Sequence, residues 1–378
     1  MRIGIDCRLW NQTGVGRYAR NLVANLYKID KKNDYTLFVS IEDLQNIQRL
    51  FKNPRWKVVE ADIKWHTFSE QINYLQILNK ENLDLVHFPY LSAPIFYKRP
   101  FIVTIHDLIP MLYPTGKAST LILPLYYLKY LAFRVVIKKI SKKARRIIVP
   151  SFATKSEVLK HLNVSEDKII VTYEAADNNL KSQTAELNSL SFKDGQYFLY
   201  VGNAYPHKNL DKFIAAFKKL KANLLVSDSK IGKNIKFVLV GDKGYFYKRL
   251  ELMTKSKDVI FYGKASDEEL AALYKNALAA VQPSLMEGFG LPVLEAMANK
   301  CLVACSDIPS LREIAKENAL YFNPQDADEM EKILESIISN SKSYENMTKK
   351  AYLRSQEFSF EKMATETLAV YELVLKKP

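Results

Sequence analysis

No uninterrupted apolar run of about 18 residues occurs in this 378-residue chain, which argues against a membrane-spanning helix. Cysteine is scarce and scattered. Cys7, Cys301 and Cys305 support neither a disulfide framework nor a zinc site, and a reducing cytoplasm is the setting they imply. The opening Met1-Arg2-Ile3-Gly4-Ile5-Asp6 lacks the apolar core of a secretory signal and reads instead as a strand. Acidic residues are missing altogether between Asp107 and Glu157, where ten Lys and Arg stand.

What is present fits two domains. The length exceeds one ordinary domain, and 48% hydrophobic with 25% charged residues allows two sizeable cores and excludes wholesale disorder. The net charge of +14 is uneven: residues 1–180 carry 27 Lys and Arg against 16 Asp and Glu, and the remainder 28 against 25. An anionic partner for the first half follows, either nucleic acid or a membrane surface; a basic face that merely keeps the chain soluble is the plainer alternative.

Short β-branched runs alternate with helical patterns throughout, the signature of parallel α/β architecture. Strands are expected at Arg2–Ile5, Tyr35–Val39, Lys57–Val59, Leu83–Phe88, Phe101–Ile105, Arg146–Val149 and Ile169–Thr172. A second series runs Tyr197–Val201, Phe237–Val240, Val259–Tyr262, Ala279–Gln282, Leu302–Ala304 and Leu320–Phe322. Periodicity stops between them. This predicts a first domain over 1–177, a linker over 178–196, a second domain over 197–357 and a C-terminal helix within 358–378. That helix has the option of packing back on the first domain. Two doubly wound domains in series place a cleft at the carboxyl ends of both strand sets.

In Gln282-Pro283-Ser284-Leu285-Met286-Glu287-Gly288-Phe289-Gly290-Leu291-Pro292-Val293-Leu294-Glu295, a strand ends, two glycines follow and Pro292 suits the first turn of a helix. A helix start is an anion site, and the glycines let phosphate approach the backbone. Glu287 and Glu295 are odd company for phosphate unless they hold hydroxyls. Lys208, just past a strand, offers a cation to a leaving diphosphate. His106 ends the apolar run Phe101–Ile105 at a cleft edge, where either a structural or a site role fits. The loop Thr13-Gly14-Val15-Gly16-Arg17 lacks the third glycine of the dinucleotide fingerprint. His66, His87, His161 and His207 form no metal-ligating pattern.

The spacing Glu287-x7-Glu295 within Glu-Gly-Phe-Gly-Leu-Pro resembles the signature of glycosyltransferase family 4. The resemblance extends over nearly the whole chain, through Thr104-Ile105-His106-Asp107-Leu108, Val201-Gly202-Asn203-Ala204-Tyr205-Pro206-His207-Lys208-Asn209-Leu210 and Ser306-Asp307-Ile308-Pro309. It implies the GT-B fold, two Rossmann-like parallel-sheet domains facing across a cleft. It implies retaining, metal-independent transfer of a hexose, with mannose favoured, from a nucleotide diphosphate sugar to a glycan or lipid-linked acceptor. No cofactor is implied. By resemblance Glu287 stabilises the reacting sugar, His106 binds near the point of attack and Glu295 holds the ribose. Phe289, Gly290 and Leu291 then meet sugar and phosphates, Lys208 the diphosphate, Gly14 and Gly16 the phosphates and acceptor, and Ala265 the nucleobase. Asn203 stands where the family often has arginine, so one positive charge is missing from the donor-binding set. An epimerase or hydrolase of the same fold is the alternative enzyme. A nucleic-acid-binding module leaves these residues unexplained and has no recognisable motif.

A last expectation concerns residues 118–146. Phe133, Val136, Ile137, Ile140 and Ala144 form one helical stripe, with Arg134, Lys138, Lys142 and Arg145 opposite and Lys139, Lys143 and Arg146 adding charge. Leu121 to Leu131 is rich in leucine and tyrosine. Together they suggest docking on an anionic membrane and a peripheral place on the inner face of the plasma membrane; an ordinary helix burying its stripe in the core is the alternative.

Overall fold

The computed structural model describes residues 1–12, 14–115, 123–176 and 196–376. The described chain forms two compact units. Unit 1 gathers the residues up to Glu174 and again those from Ser359 onward; unit 2 runs from Ala175 to Phe358. Of the expected linker only Gln196 is described, and the rest lies outside the described residues.

Unit 1 is built on a parallel sheet of β1 (Arg2–Asp6), β2 (Asp34–Val39), β3 (Trp56–Glu60), β4 (Leu85–Phe88), β5 (Phe101–Thr104), β6 (Arg146–Val149) and β7 (Ile169–Val171). Its spatial order is β3-β2-β1-β4-β5-β6-β7. Unit 2 repeats the plan with β8 (Tyr197–Val201), β9 (Lys236–Val240), β10 (Val259–Gly263), β11 (Ala279–Gln282), β12 (Val303–Ser306) and β13 (Leu320–Phe322), ordered β10-β9-β8-β11-β12-β13. Every pairing is parallel. Sheets covered by helices on both faces need strands apolar on both faces. Runs such as Phe101-Ile102-Val103 and Phe198-Leu199-Tyr200 meet that demand and are fully buried or nearly so. In both units the order reverses beside the first strand, so the loops after β1 and β4, and after β8 and β11, flank the switch point where doubly wound folds bind ligands.

The C-terminal helix Phe360–Leu375 belongs to unit 1. Ser359 caps it by accepting the Lys362 N–H at 3.1 Å. Its buried residues Phe360, Met363, Ala364, Thr367, Val370 and Tyr371 recur at helical spacing and face the sheet side of the unit, beside the first helix, Gly14–Ile29. Among the described residues no helix is long and apolar enough to cross a membrane.

The helix Leu123–Lys143 corrects one expectation. Ile137, Ile140 and Ala144 are buried in the unit 1 core, with Phe133 and Val136 packed against it, so that stripe is not available to a membrane. The helix carries a second apolar stripe instead, through Leu128, Leu131 and Val135, and this one is exposed. Residues 118–122 lie outside the described residues.

The two glycines of the β1 loop differ in kind. A Cβ on Gly16 would sit 2.5 Å from the Trp10 carbonyl oxygen and 2.6 Å from that of Leu9, both backbone atoms; one on Gly14 would meet nothing within 4 Å. Alanine favours a helix by about 1 kcal/mol over glycine, but forcing a methyl into close packing costs about 1–3 kcal/mol. Gly16→Ala is therefore expected to lower, and Gly14→Ala to leave unchanged or raise, the unfolding free energy in urea; equal effects would refute the packing argument.

Candidate active site

The candidate site in the second half of the chain is assembled at the carboxyl ends of β8 and β11. After β11 the loop Pro283–Gly290 leads into the helix Leu291–Ala298. Gly290 is its N-cap at φ +103°, and a Cβ there would lie 2.5 Å from Leu311 Cδ2, so both conformation and space require glycine. Its carbonyl takes the N–H groups of Val293 and Leu294 at 3.0 and 3.1 Å. Pro292 has no N–H, so the donors that can face an anion at this helix start are those of Gly290 and Leu291. Phe289 is buried edge-on against Phe358.

Glu287 is the centre of this half. Its Oε1 accepts three hydrogen bonds, from Lys208 Nζ at 2.7 Å, Gln282 Nε2 at 2.6 Å and Ser284 Oγ at 2.7 Å. Its Oε2 has no hydrogen bond from any described residue. One oxygen is saturated by the protein, and the other remains as an acceptor for a ligand hydroxyl. The carboxylate is only 8% exposed. Burial raises its pKa, but the charge of Lys208 and the donors Lys208, Ser284 and Gln282 outweigh that and hold it below the ordinary range. Glu287 is ionised, and fixed.

Lys208 reaches it from the short turn Pro206–Lys208 after β8. The turn is itself tied down. The His207 carbonyl accepts the Leu285 N–H at 2.8 Å, and Asn209, in the left-handed region, donates from Nδ2 to the Pro283 and Pro324 carbonyls at 3.1 and 2.8 Å. Burial pushes the His207 imidazole down to about 4, so it is neutral. Neither Asn209, Ser284 nor Gln282 was singled out from sequence as a functional residue. Their partners lie across loops, which spacing does not reveal.

Glu295 is buried on the helix Leu291–Ala298, and its Oε2 accepts from Tyr274 Oη at 3.2 Å. Asn203 and Ala265 stand on neighbouring loops: the Gly202 N–H donates to Val240 and the Gly241 N–H to Gly263, so the ends of β8, β9 and β10 are stitched side by side. The Asn203 amide oxygen accepts from the Tyr205 N–H at 3.2 Å. Besides Lys208, the loops after β9 and β10 carry Lys243, whose Cε lies 3.5 Å from the Cβ position of Gly263, and Lys264, paired with Asp242 at 3.1 Å.

In unit 1, His106 follows β5 and lies beside Tyr18 of the first helix, ring centroids 4.8 Å apart. Its Nδ1 is 2.7 Å from Glu174 Oε1 and its Nε2 is 2.9 Å from the Pro89 carbonyl oxygen. His87, on β4, bonds Tyr371 Oη through Nδ1 and Thr104 Oγ1 through Nε2, both at 2.7 Å. The end of β1 carries a buried ion triad in which Arg8 bridges Asp6 and Glu70, each at 2.7 Å. Gly14 and Gly16 open the helix beyond it; Thr13 lies outside the described residues.

Two family descriptions match the chain, "Glycosyltransferase Family 4" over residues 12–179 and "Glycosyl transferases group 1" over residues 182–354. The O-antigen chain mannosyltransferase RfbU of Salmonella typhimurium is 30% identical over 280 residues, 73% of this chain and 70% of that one. The chain belongs to glycosyltransferase family 4. A second relative, the O-antigen chain mannosyltransferase B of Escherichia coli, is 28% identical over 61% of each chain, so less than two thirds of its length is spanned. Among solved structures, this family-4 transferase superposes on sucrose-phosphate synthase from Thermosynechococcus elongatus with a TM-score of 0.78 at 19% identity, covering 99% of both. It superposes on Anabaena HepE in complex with UDP and glucose with a TM-score of 0.74 at 15% identity, covering 98% and 99%. These likenesses show the GT-B fold.

The sequence is expected to lack the Asp-x-Asp typical of metal-dependent glycosyltransferases of the other major fold; one is present at Asp326 and Asp328, and the structure accounts for it as a helix cap. Asp326 accepts the N–H groups of Asp328 and Glu329 at 2.9 and 3.0 Å, and the Asp328 carboxylate takes Lys219 at 2.7 Å.

The Lys208–Glu287 pair makes a stability prediction. Removing one partner of a buried ion pair costs about 3–5 kcal/mol because the other charge is stranded. Lys208→Met is expected to lose stability of that order at neutral pH. A carboxylate with a depressed folded pKa contributes stability above its unfolded pKa and loses it as pH falls through the folded one. The deficit of Lys208→Met relative to wild type should therefore shrink on acidification, and Lys208→Met/Glu287→Gln should recover part of it at neutral pH. Urea unfolding at two pH values measures both, and a pH-independent deficit would count against a buried ionised Glu287.

Proposed function

We propose that this enzyme transfers a hexose, mannose by preference, from a nucleotide diphosphate sugar to a glycan or lipid-linked acceptor of a cell-surface polysaccharide. In this reading transfer occurs with retention and without metal, at the cytoplasmic face of the membrane. The observation that supports it best is the divided Glu287 carboxylate, with Oε1 held by Lys208, Gln282 and Ser284 and Oε2 left to a sugar hydroxyl. In this reading Lys208 serves twice. It fixes Glu287, and it stands beside the Gly290–Leu291 helix start where a diphosphate would gather negative charge as the glycosidic bond breaks. Glu295 takes the ribose hydroxyls, with Tyr274 orienting it. Asn203 and Ala265 line the nucleoside side, and Lys243 or Lys264 supplies the charge that Asn203 lacks. The names of the two O-antigen mannosyltransferases support mannose and polysaccharide as the sugar and the product class.

A thermal-shift panel of UDP-, GDP- and ADP-sugars identifies the donor, since a ligand of the native state raises its melting temperature. With that donor, transfer is expected in excess EDTA, with the anomeric configuration kept in the product NMR spectrum. Glu287→Gln should lower kcat, and Glu295→Ala should raise the donor KM, each by about 10- to 100-fold, the worth of a hydrogen bond to a charged group. Release of free sugar without any acceptor product would favour the hydrolase alternative; loss of transfer in EDTA with recovery on adding magnesium would overturn metal independence.

Membrane docking belongs to the same proposal, on the corrected face. Leu128, Leu131 and Val135 stand exposed on the helix Leu123–Lys143, and the same face continues into Lys138, Lys139 and Lys142, also exposed. Phe68 is 80% exposed two residues from His66, whose ring meets Phe133 at 5.1 Å. An apolar stripe running into lysines suits the interface of an anionic bilayer, at about 1 kcal/mol per engaged cation. Co-sedimentation with phosphatidylglycerol vesicles should be salt-sensitive and should weaken both in Lys138→Gln/Lys139→Gln/Lys142→Gln and in Leu128→Gln/Leu131→Gln. Equal binding to neutral phosphatidylcholine vesicles would rule the surface out.

A further inference from the structure

We infer that His106 is held as an imidazolium by Glu174 and the Pro89 carbonyl, as one half of a fixed ion pair that offers the ligand of unit 1 no base. The activity arm of the test rests on the transferase reading above; the protonation arm does not. A backbone carbonyl oxygen can only accept, so the 2.9 Å contact of Nε2 with Pro89 requires a proton on Nε2. The 2.7 Å contact of Nδ1 with Glu174 requires a second proton between an imidazole and a carboxylate. Imidazole is a stronger base than a carboxylate, which puts that proton on the ring.

The surroundings hold it there. Glu174 follows β7, and Asp107 is the next residue in the chain. Both are negative neighbours, and both favour the charged ring. From the first helix comes Tyr18 and from β4 comes His87, and neither adds a positive charge. Burial holds the Tyr18 hydroxyl protonated. His87 is buried between the hydroxyls of Tyr371 and Thr104, and burial followed by the charge of His106 pushes it down to about 3. Burial by itself would lower the His106 pKa; the hydrogen bond and charge of Glu174, then Pro89 and Asp107, outweigh it and raise it. Two histidines of one cluster thus hold opposite protonation states, His87 neutral between hydroxyls and His106 charged between a carboxylate and a carbonyl.

The chemical consequence is specific. A ring with both nitrogens protonated has no lone pair for an incoming acceptor hydroxyl, so His106 cannot serve as general base in transfer. It contributes a fixed shape as half of an ion pair, and Glu174 is the positioning residue that maintains it. A general base gives a rate that rises with pH through its pKa, whereas a required imidazolium gives a rate that falls.

The test uses the full chain labelled with 15N-histidine, with His106 assigned by the signal lost in His106→Gln. At pH 6.5, where an ordinary histidine is half titrated, both ring nitrogens of His106 are expected to resonate as predominantly protonated, and the titration to lie above the ordinary value. In Glu174→Gln the titration should move down, and kcat at pH 8 relative to pH 6 should fall with it. Glu174→Asp, which keeps the carboxylate, should restore much of the wild-type profile. A neutral single tautomer in the wild type at pH 6.5, or a Glu174→Gln profile superimposable on wild type, overturns the inference. If no nucleotide sugar supports transfer, the proposed function fails while the nitrogen shifts still decide the charge of His106. If Glu174→Gln does not fold, the wild-type titration decides alone.

Discussion

A buried charge must be answered where it stands, and both halves of this molecule are organised by that constraint. An isolated ion in a low-dielectric interior costs far more than any single contact returns, so each must find counter-charge and donors within hydrogen-bond reach. Three such groups lie at the carboxyl edges of the sheets: Glu287 with Lys208, Gln282 and Ser284; His106 with Glu174; and Arg8 between Asp6 and Glu70. In each, one partner comes from a segment distant in sequence: Lys208 for Glu287, Glu174 for His106 and Glu70 for Arg8. Satisfying the charge therefore fixes loop against loop, and the irregular backbone beyond the strands becomes as determined as the sheets beneath it.

Parallel topology is what brings these loops together. With every strand running the same way, all of the loops that follow strands emerge on one edge of each sheet, and the reversal of order beside β1 and β8 leaves room there. The glycines then set how closely the loops approach. Gly241 sits where a Cβ would fall 2.1 Å from the Gly202 oxygen, so the ends of β8 and β9 touch through backbone alone.

Much of this was legible in the sequence. The strands declared themselves through β-branched and aromatic runs bounded by polar breaks, and their ends fall within a residue or two of expectation. Glu287, Glu295 and Lys208 were marked by the loops and glycines around them. The supporting groups were not. Glu174 is 68 residues from His106 and Asn209 is 74 from Pro283, and no local period links such pairs. The helix Leu123–Lys143 shows a different limit. It carries two apolar stripes, and periodicity reveals that a face is apolar without saying whether it meets a core or solvent. Only the packing of Ile137, Ile140 and Ala144 into the interior settles which stripe is left outside.

The C-terminal helix has a consequence for the order in which the protein is made. Unit 1 is interrupted in sequence by Ala175–Phe358 of unit 2, so its helix Phe360–Leu375 is synthesised only after that stretch. Until Tyr371 has left the ribosome, the Nδ1 of His87 lacks its hydroxyl partner and the apolar face beside the first helix stays uncovered. The strands of unit 2, all between Tyr197 and Phe322, are made beforehand. The unit begun first is thus finished second, and a nascent chain that has reached only Phe358 carries the strands of the second unit while the first is still unfinished.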